Sequence, residues 1–160
     1  MEQTAKQLVE QLSARGWRIA FAESCTAGLA AATLASVSGA SRVMEGALVT
    51  YSVAAKCRLL GVMQETVDTY TVYSEEVARE MAEGASRKLG TEVAVGITGI
   101  AGPTGALPDK LVGTVSFGYC IAGRTCTETV RFSDLDRAGV RTAAVAHAFD
   151  RLLTLIASHA

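Results

Sequence analysis

Histidine is scarce in this 160-residue chain: only His147 and His159 are present, and both fall near its C-terminal end. A Ser-His-Asp triad built on a serine at an early turn therefore finds weak support, and a serine nucleophile needs another base. The four cysteines, Cys25, Cys57, Cys120 and Cys126, form no CxxC pair and have no histidine at ligand spacing. That argues against a structural zinc site. Long apolar runs are missing too. None approaches the roughly 20 residues of a membrane span, and Met1-Glu2-Gln3 lacks the basic and apolar regions of a signal peptide. The expectation is a cytoplasmic protein with no membrane partner. Nor does charge of one sign dominate: the formal net charge is −1 and the signs are mixed along the chain, so no basic stripe offers a nucleic-acid surface. A small anionic ligand needs only one or two well-placed cations.

Cys120 and Cys126 are the one cysteine pair to weigh. They flank Ala122-Gly123-Arg124, and a three-residue hairpin loop there would set them opposite each other, within reach of a disulfide in an oxidising compartment. In a cytosolic protein, two reduced cysteines on a sheet are the plainer reading.

Hydrophobic residues make up 49% of the sequence, enough for a well-buried core, so residues 1–160 are expected to form a single domain. Leu8, Val9 and Leu12 share one face of a first helix over 4–14, closed by Arg15-Gly16. A short buried strand is expected at 19–22 and a helix of small residues at 26–37. The β-rich run Ala47-Leu48-Val49-Thr50-Tyr51 reads as a second strand, followed by a helix over 53–60. Ser74 caps a helix carrying Glu75 and Glu76 in its first turn and Val77, Met81, Ala85 and Leu89 on one face. Residues 93–98 form a strand apolar on both faces, which suits a sheet covered by helices. A hairpin at 112–121 and 125–132 and a closing helix at 138–156 complete the order. Strands alternating with helices predict an α/β fold, a three-layer α/β/α sandwich with a mixed, mostly parallel sheet.

Three polar groups recur at predicted strand ends: Ser24, the segment from Thr50-Tyr51 to Lys56, and the glycine-rich loop after Thr98. In open α/β sheets ligands bind at the carboxyl ends of the strands, so parallel strands would bring all three to one crevice. The turn Ala22-Glu23-Ser24-Cys25-Thr26-Ala27-Gly28 sits between a strand and a helix, where free N–H groups hold either a phosphate or a developing oxyanion. The turn alone leaves both open. Lysine can replace histidine as the base if burial or nearby positive charge lowers its pKa from about 10.4 toward 7 or 8. Lys56 in a mostly apolar helix could meet that condition, although spacing alone favours a solvated helix lysine. Cys25 is a competing nucleophile, since a helix N-terminus also stabilises a thiolate; with no histidine near it, a small apolar packing role is the plainer reading. The loop Gly99-Ile100-Ala101-Gly102-Pro103-Thr104-Gly105 lacks both the Walker A and the GxGxxG spacing, and reads equally as a ligand cradle or a structural turn. Arg137 and Arg141 lie one helical turn apart and could grip an anion, but Asp134 and Asp136 make a surface ion-pair cluster the default.

In this order, the turn at 22–28, Gly46-Ala47-Leu48-Val49-Thr50-Tyr51-Ser52 with Lys56, the loop at 99–105 and Val112-Gly113-Thr114-Val115 resemble the CinA C-terminal domain family across nearly the whole chain. The resemblance implies an amidohydrolase that converts nicotinamide mononucleotide to nicotinate mononucleotide and ammonia in pyridine nucleotide recycling, without metal or other cofactor. By motif position Ser24 is the nucleophile, Lys56 its base, and Tyr51 an aid to proton transfer or orientation. Glu23, Thr26, Thr50 and Thr98 are expected about the substrate. Gly99, Gly102, Thr104, Gly105 and Arg141 join them, with the phosphate against Arg141, Thr104 or the loop amides. A homo-oligomer, most simply a dimer, is implied by the resemblance alone. The chain departs from the family pattern at Leu111, where proline commonly follows the lysine, and at Ala27, where glycine is common. The rival reading, from a different class, is a noncatalytic nucleotide-binding or interaction module, since the resemblance also extends to domains fused in competence-associated proteins; the presence of Ser24, Tyr51 and Lys56 together favours the enzyme.

Overall fold

A computed structural model of the chain describes residues 1–159. Its five strands are β1 (Ile19–Glu23), β2 (Met44–Val49), β3 (Val93–Gly99), β4 (Thr114–Ile121) and β5 (Arg124–Arg131). They form one sheet in the order β2-β1-β3-β4-β5. β1 pairs in parallel with both β2 and β3, while β3–β4 and β4–β5 are antiparallel. The sheet is mixed, as expected, with four of its five strands running one way because the hairpin reverses direction twice.

Helices cover both faces. α1 (Glu2–Arg15), α2 (Leu29–Ala35) and α6 (Arg137–Ala157) bury Leu8, Leu12, Leu34, Phe149 and Leu152 against Phe21, Val95 and Phe117. On the other face α5 (Glu75–Leu89) packs Val77, Met81 and Ala85 on Ala20, Ala22 and Ala94. A short helix α3 (Val53–Ala55), its widened continuation at Lys56–Leu60, and α4 (Gln64–Tyr70) connect β2 to α5. All seven residues of β3 are buried, which fits a central strand with apolar residues on both faces. The α5 helix lies unusually near the sheet. Gly96 and Gly118 are register partners, and a Cβ on either would stand 2.4 and 2.3 Å from the Ala78 carbonyl oxygen. At the helix's far side a Cβ on Gly84 would stand 2.0 Å from the Leu60 carbonyl oxygen, so a glycine inside the helix seats the turn that carries Lys56.

Several local expectations need correction. The helix expected from Thr26 starts only at Leu29, because Ala27 and Gly28 take left-handed backbone at φ 50° and 94°. The second strand ends at Val49, leaving Thr50 and Tyr51 beyond it. α4 carried too short an apolar pattern to be anticipated. The hairpin loop has two residues, Ala122 and Gly123, both at positive φ as a mirror-image turn demands. Its register sets Cys120 opposite Thr125 and Cys126 opposite Tyr119. The two cysteines therefore project from opposite faces, and both are free.

Candidate active site

Parallel pairing of β1 with β2 and β3 puts the ends of all three strands at one edge. There a cavity of about 300 Å³, at the lower end of small-molecule sites, is lined by Ser24, Cys25, Tyr51, Thr104 and Arg137 among others, with Gly99 to Gly102 as one wall.

Ser24 leaves β1 with its backbone N–H still donating to the Ile97 carbonyl at 2.9 Å. The chain then turns through Ala27 and Gly28 into α2. Glu23, wholly buried, reaches past this turn: its carboxylate accepts from the N–H groups of Gly28, Ala30 and Ala31 at 2.9, 3.1 and 2.9 Å. The helix start that could have held a phosphate or an oxyanion is thus filled by the protein's own anion. Arg141 tightens the same turn from α6, donating to the Cys25 and Thr26 carbonyls at 3.1 and 2.9 Å. It borders an adjoining apolar cavity with Pro103 and Leu135, not the one at Ser24.

Lys56 arrives from the other junction. Ser52 caps α3 by accepting from the Ala55 N–H, and the helix widens to a π turn from Lys56, a distortion frequent at functional sites. The Lys56 side chain has no solvent exposure. Its Nζ lies 2.8 Å from Ser24 Oγ and donates to the Thr50 carbonyl at 2.6 Å. Burial holds its pKa down to about 8, against a smaller opposing pull from Cys25 and Cys57. The same burial pushes the Cys25 thiol up to about 11. Cys25 therefore remains a thiol near neutral pH, which weakens it as a rival nucleophile.

Tyr51, 61% exposed, lines the cavity, and its hydroxyl accepts from Arg137 Nη2 at 2.9 Å. Arg137 also donates to the Gly102 carbonyl at 2.7 Å, joining α6, Tyr51 and the glycine loop. Gly99 must be bare, since a Cβ there would meet the Thr114 carbonyl at 2.6 Å. The remaining expected residues serve otherwise. The hydroxyls of Thr26 and Thr50 are buried without hydrogen-bond partners among the described residues. Thr98 donates to the Val72 carbonyl at 2.8 Å. Gly105 lies outside the lining, beside Ile100 and the Tyr73 hydroxyl. Val72 and Tyr73 do line it, and the sequence reading gave them no part. Among the described residues no group of three or more His, Cys, Asp or Glu gathers as a metal site, and no helix is long and apolar enough to cross a membrane.

The model of the CinA C-terminal domain matches residues 1–156. The chain belongs to the CinA C-terminal domain family. This CinA domain is 48% identical over 146 residues to a CinA-like protein of Anaeromyxobacter dehalogenans, covering 91% of this chain and 35% of that one. It is 50% identical over 127 residues to a CinA-like protein of Mycobacterium tuberculosis, covering 77% and 30%. It thus spans about a third of the length of the curated relatives it matches. The crystal structure of competence damage-inducible protein A from Klebsiella pneumoniae superposes with TM-score 0.94 at 33% identity, covering 98% of this chain and 96% of that one. A competence/damage inducible protein from Agrobacterium tumefaciens superposes with TM-score 0.93 at 35% identity, covering 96% and 94%.

Proposed function

We propose that this CinA domain is an amidohydrolase that converts nicotinamide mononucleotide to nicotinate mononucleotide and ammonia. The observation that carries the reading is the 2.8 Å contact between Ser24 Oγ and the Nζ of a wholly buried lysine whose pKa burial lowers to about 8. A neutral amine there has one lone pair and two N–H bonds. One N–H donates to the Thr50 carbonyl, and the lone pair accepts the Ser24 hydroxyl proton.

Ser24 Oγ then attacks the carboxamide carbon. The developing oxyanion is held by the N–H groups of Ala101 and Gly102, residues that border the cavity and whose amides carry no hydrogen bond among the described residues. The Lys56 ammonium returns its proton to the departing nitrogen, and ammonia leaves an acyl-serine. Water, deprotonated by Lys56, attacks that ester and frees the carboxylate with Ser24 restored. The substrate phosphate sits against Arg137 and Thr104 in place of Arg141, because Arg137 is the arginine that borders the cavity and Arg141 is spent on the turn. Tyr51 orients Arg137 through its hydroxyl.

Ammonia release from nicotinamide mononucleotide, measured for the wild type beside Ser24→Ala, Lys56→Ala and Cys25→Ala, tests the reading. The wild type is expected to be active, the first two variants to lose at least about a thousandfold, and Cys25→Ala to retain most activity. Full activity in Ser24→Ala removes the nucleophile, and a silent wild type favours a binding module.

A further inference from the structure

The segment Thr71-Val72-Tyr73 forms a wall of the same cavity, and its backbone is held against strain. Thr71 has φ 72° and ψ 157°, a region populated essentially by glycine and costly for a β-branched residue. Nothing in its side chain repays that conformation, since its hydroxyl is buried without a partner among the described residues. What holds the segment is a pair of hydroxyls rising from the sheet: Thr98 Oγ1 donates to the Val72 carbonyl at 2.8 Å, and Ser116 Oγ donates to the Tyr73 carbonyl at 2.7 Å. Thr98 and Ser116 are register partners on β3 and β4, so two neighbouring strands fasten two successive carbonyls. The result is a strap that presents Val72 and Tyr73 to the cavity, with the Tyr73 hydroxyl carried to the glycine loop beside Gly105.

We propose that this strap is the specificity wall of the site: Tyr73 and Val72 pack on the flat heteroaromatic ring bearing the carboxamide, and Thr98 and Ser116 are positioning residues that act on substrate only through the strap. The inference rests on the amidase reading for the identity of the ring. It gives the strain a use, because a strap relaxed into ordinary backbone would no longer set Tyr73 at a fixed distance from the Ser24 end of the cavity. It also accounts for Thr98, a strand-end hydroxyl that looks like a substrate ligand in the sequence and is committed to a backbone carbonyl in the fold. An aromatic wall binds the ring in ground and transition states alike, so its loss falls on KM more than on kcat.

Steady-state ammonia release from nicotinamide mononucleotide and calorimetric binding of nicotinate mononucleotide, which needs no turnover, together test the strap in wild type, Tyr73→Leu, Thr98→Val, Thr98→Ser and Thr71→Gly. Tyr73→Leu and Thr98→Val are expected to raise KM and weaken product binding about tenfold, and Thr98→Ser, which keeps the donor, to recover most of the loss. Thr71→Gly adopts the same backbone without strain while Thr98 and Ser116 still hold the strap, so it should bind as the wild type does with an unchanged or higher Tm. Wild type that binds the product without releasing ammonia, with Tyr73→Leu still tenfold weaker, defeats the amidase and keeps the strap. Turnover in the wild type with binding unchanged in Tyr73→Leu, or no recovery in Thr98→Ser, overturns the strap and leaves the amidase standing. Wild type that binds no product overturns the strap's assignment to this ring.

Discussion

Two ionisable side chains with no solvent exposure, Glu23 and Lys56, serve the turn at Ser24, and they are satisfied to different degrees. Glu23 faces the start of α2, where three backbone N–H groups converge on its carboxylate. Lys56 faces the cavity, with a carbonyl and a hydroxyl as partners and burial that disfavours its charge. A buried charge with enough fixed dipoles around it is structure; one left short of them is driven toward its neutral form and can exchange a proton. The helix side of the turn is therefore a brace, and the crevice side holds a lysine within hydrogen-bond reach of a serine hydroxyl, where the proposed chemistry would fall.

Lys56→Met separates the two sides most sharply. Activity should fall at least about a thousandfold, some 4 kcal/mol of transition-state stabilisation, while the protein still folds; ammonia release and thermal melting report both. A smaller effect, of opposite kind, belongs to Glu23→Ala. Removing the carboxylate leaves three amides at a buried helix start, and about 3 kcal/mol of stability should go with it in denaturant titration. If Glu23→Ala melts like the wild type, the brace is not one.

The pH dependence of stability gives a third, smaller contrast. Lys56 has a folded-state pKa of about 8, below the roughly 10.4 of an unfolded lysine. Between those values the unfolded chain binds more protons, so this group makes stability rise with pH across that window and adds a constant penalty below it. Lys56→Met should accordingly be more stable than the wild type by about 1–2 kcal/mol at pH 7, after the loss of two hydrogen bonds. That advantage should shrink from pH 8 to 10.5. Smallest is Ala27→Gly, which relieves left-handed backbone at φ 50° and should raise stability by about 0.5 kcal/mol, net of unfolded-chain entropy, in the same titration.

How far the sequence reached follows the same division. Ser24 and Lys56 were legible as residues at strand-to-helix junctions, but they lie 32 positions apart in the chain and no periodicity joins them. Their contact comes from parallel pairing of β1 and β2, a long-range event. Glu23 was legible as polar and expected about the substrate, and the fold commits its carboxylate to the start of α2. The signal was there, since an acid ahead of a helix that has no capping side chain of its own can supply the cap from upstream. The two arginines of α6 look alike in spacing, and only the fold sends Arg137 to Tyr51 and Gly102 and Arg141 to the carbonyls of the turn. Gly84 drew no reading from the sequence; its close approach to Leu60 is set by tertiary packing, with an isolated glycine in a strong helix as the available hint. The Thr71–Tyr73 wall left no trace, because strain in a connecting segment has no compositional signature when the strained residue is a threonine.

The role proposed for Ser24 requires that Lys56 shed its charge near pH 8 while hydrogen-bonded to it. The most direct measurement is a side-chain ¹⁵N NMR titration of the ligand-free protein, with Lys56 assigned by comparison with Lys56→Met. A midpoint near pH 8, well separated from the other lysines, is the result predicted here. A Lys56 that titrates with the rest near 10.4 would contradict it.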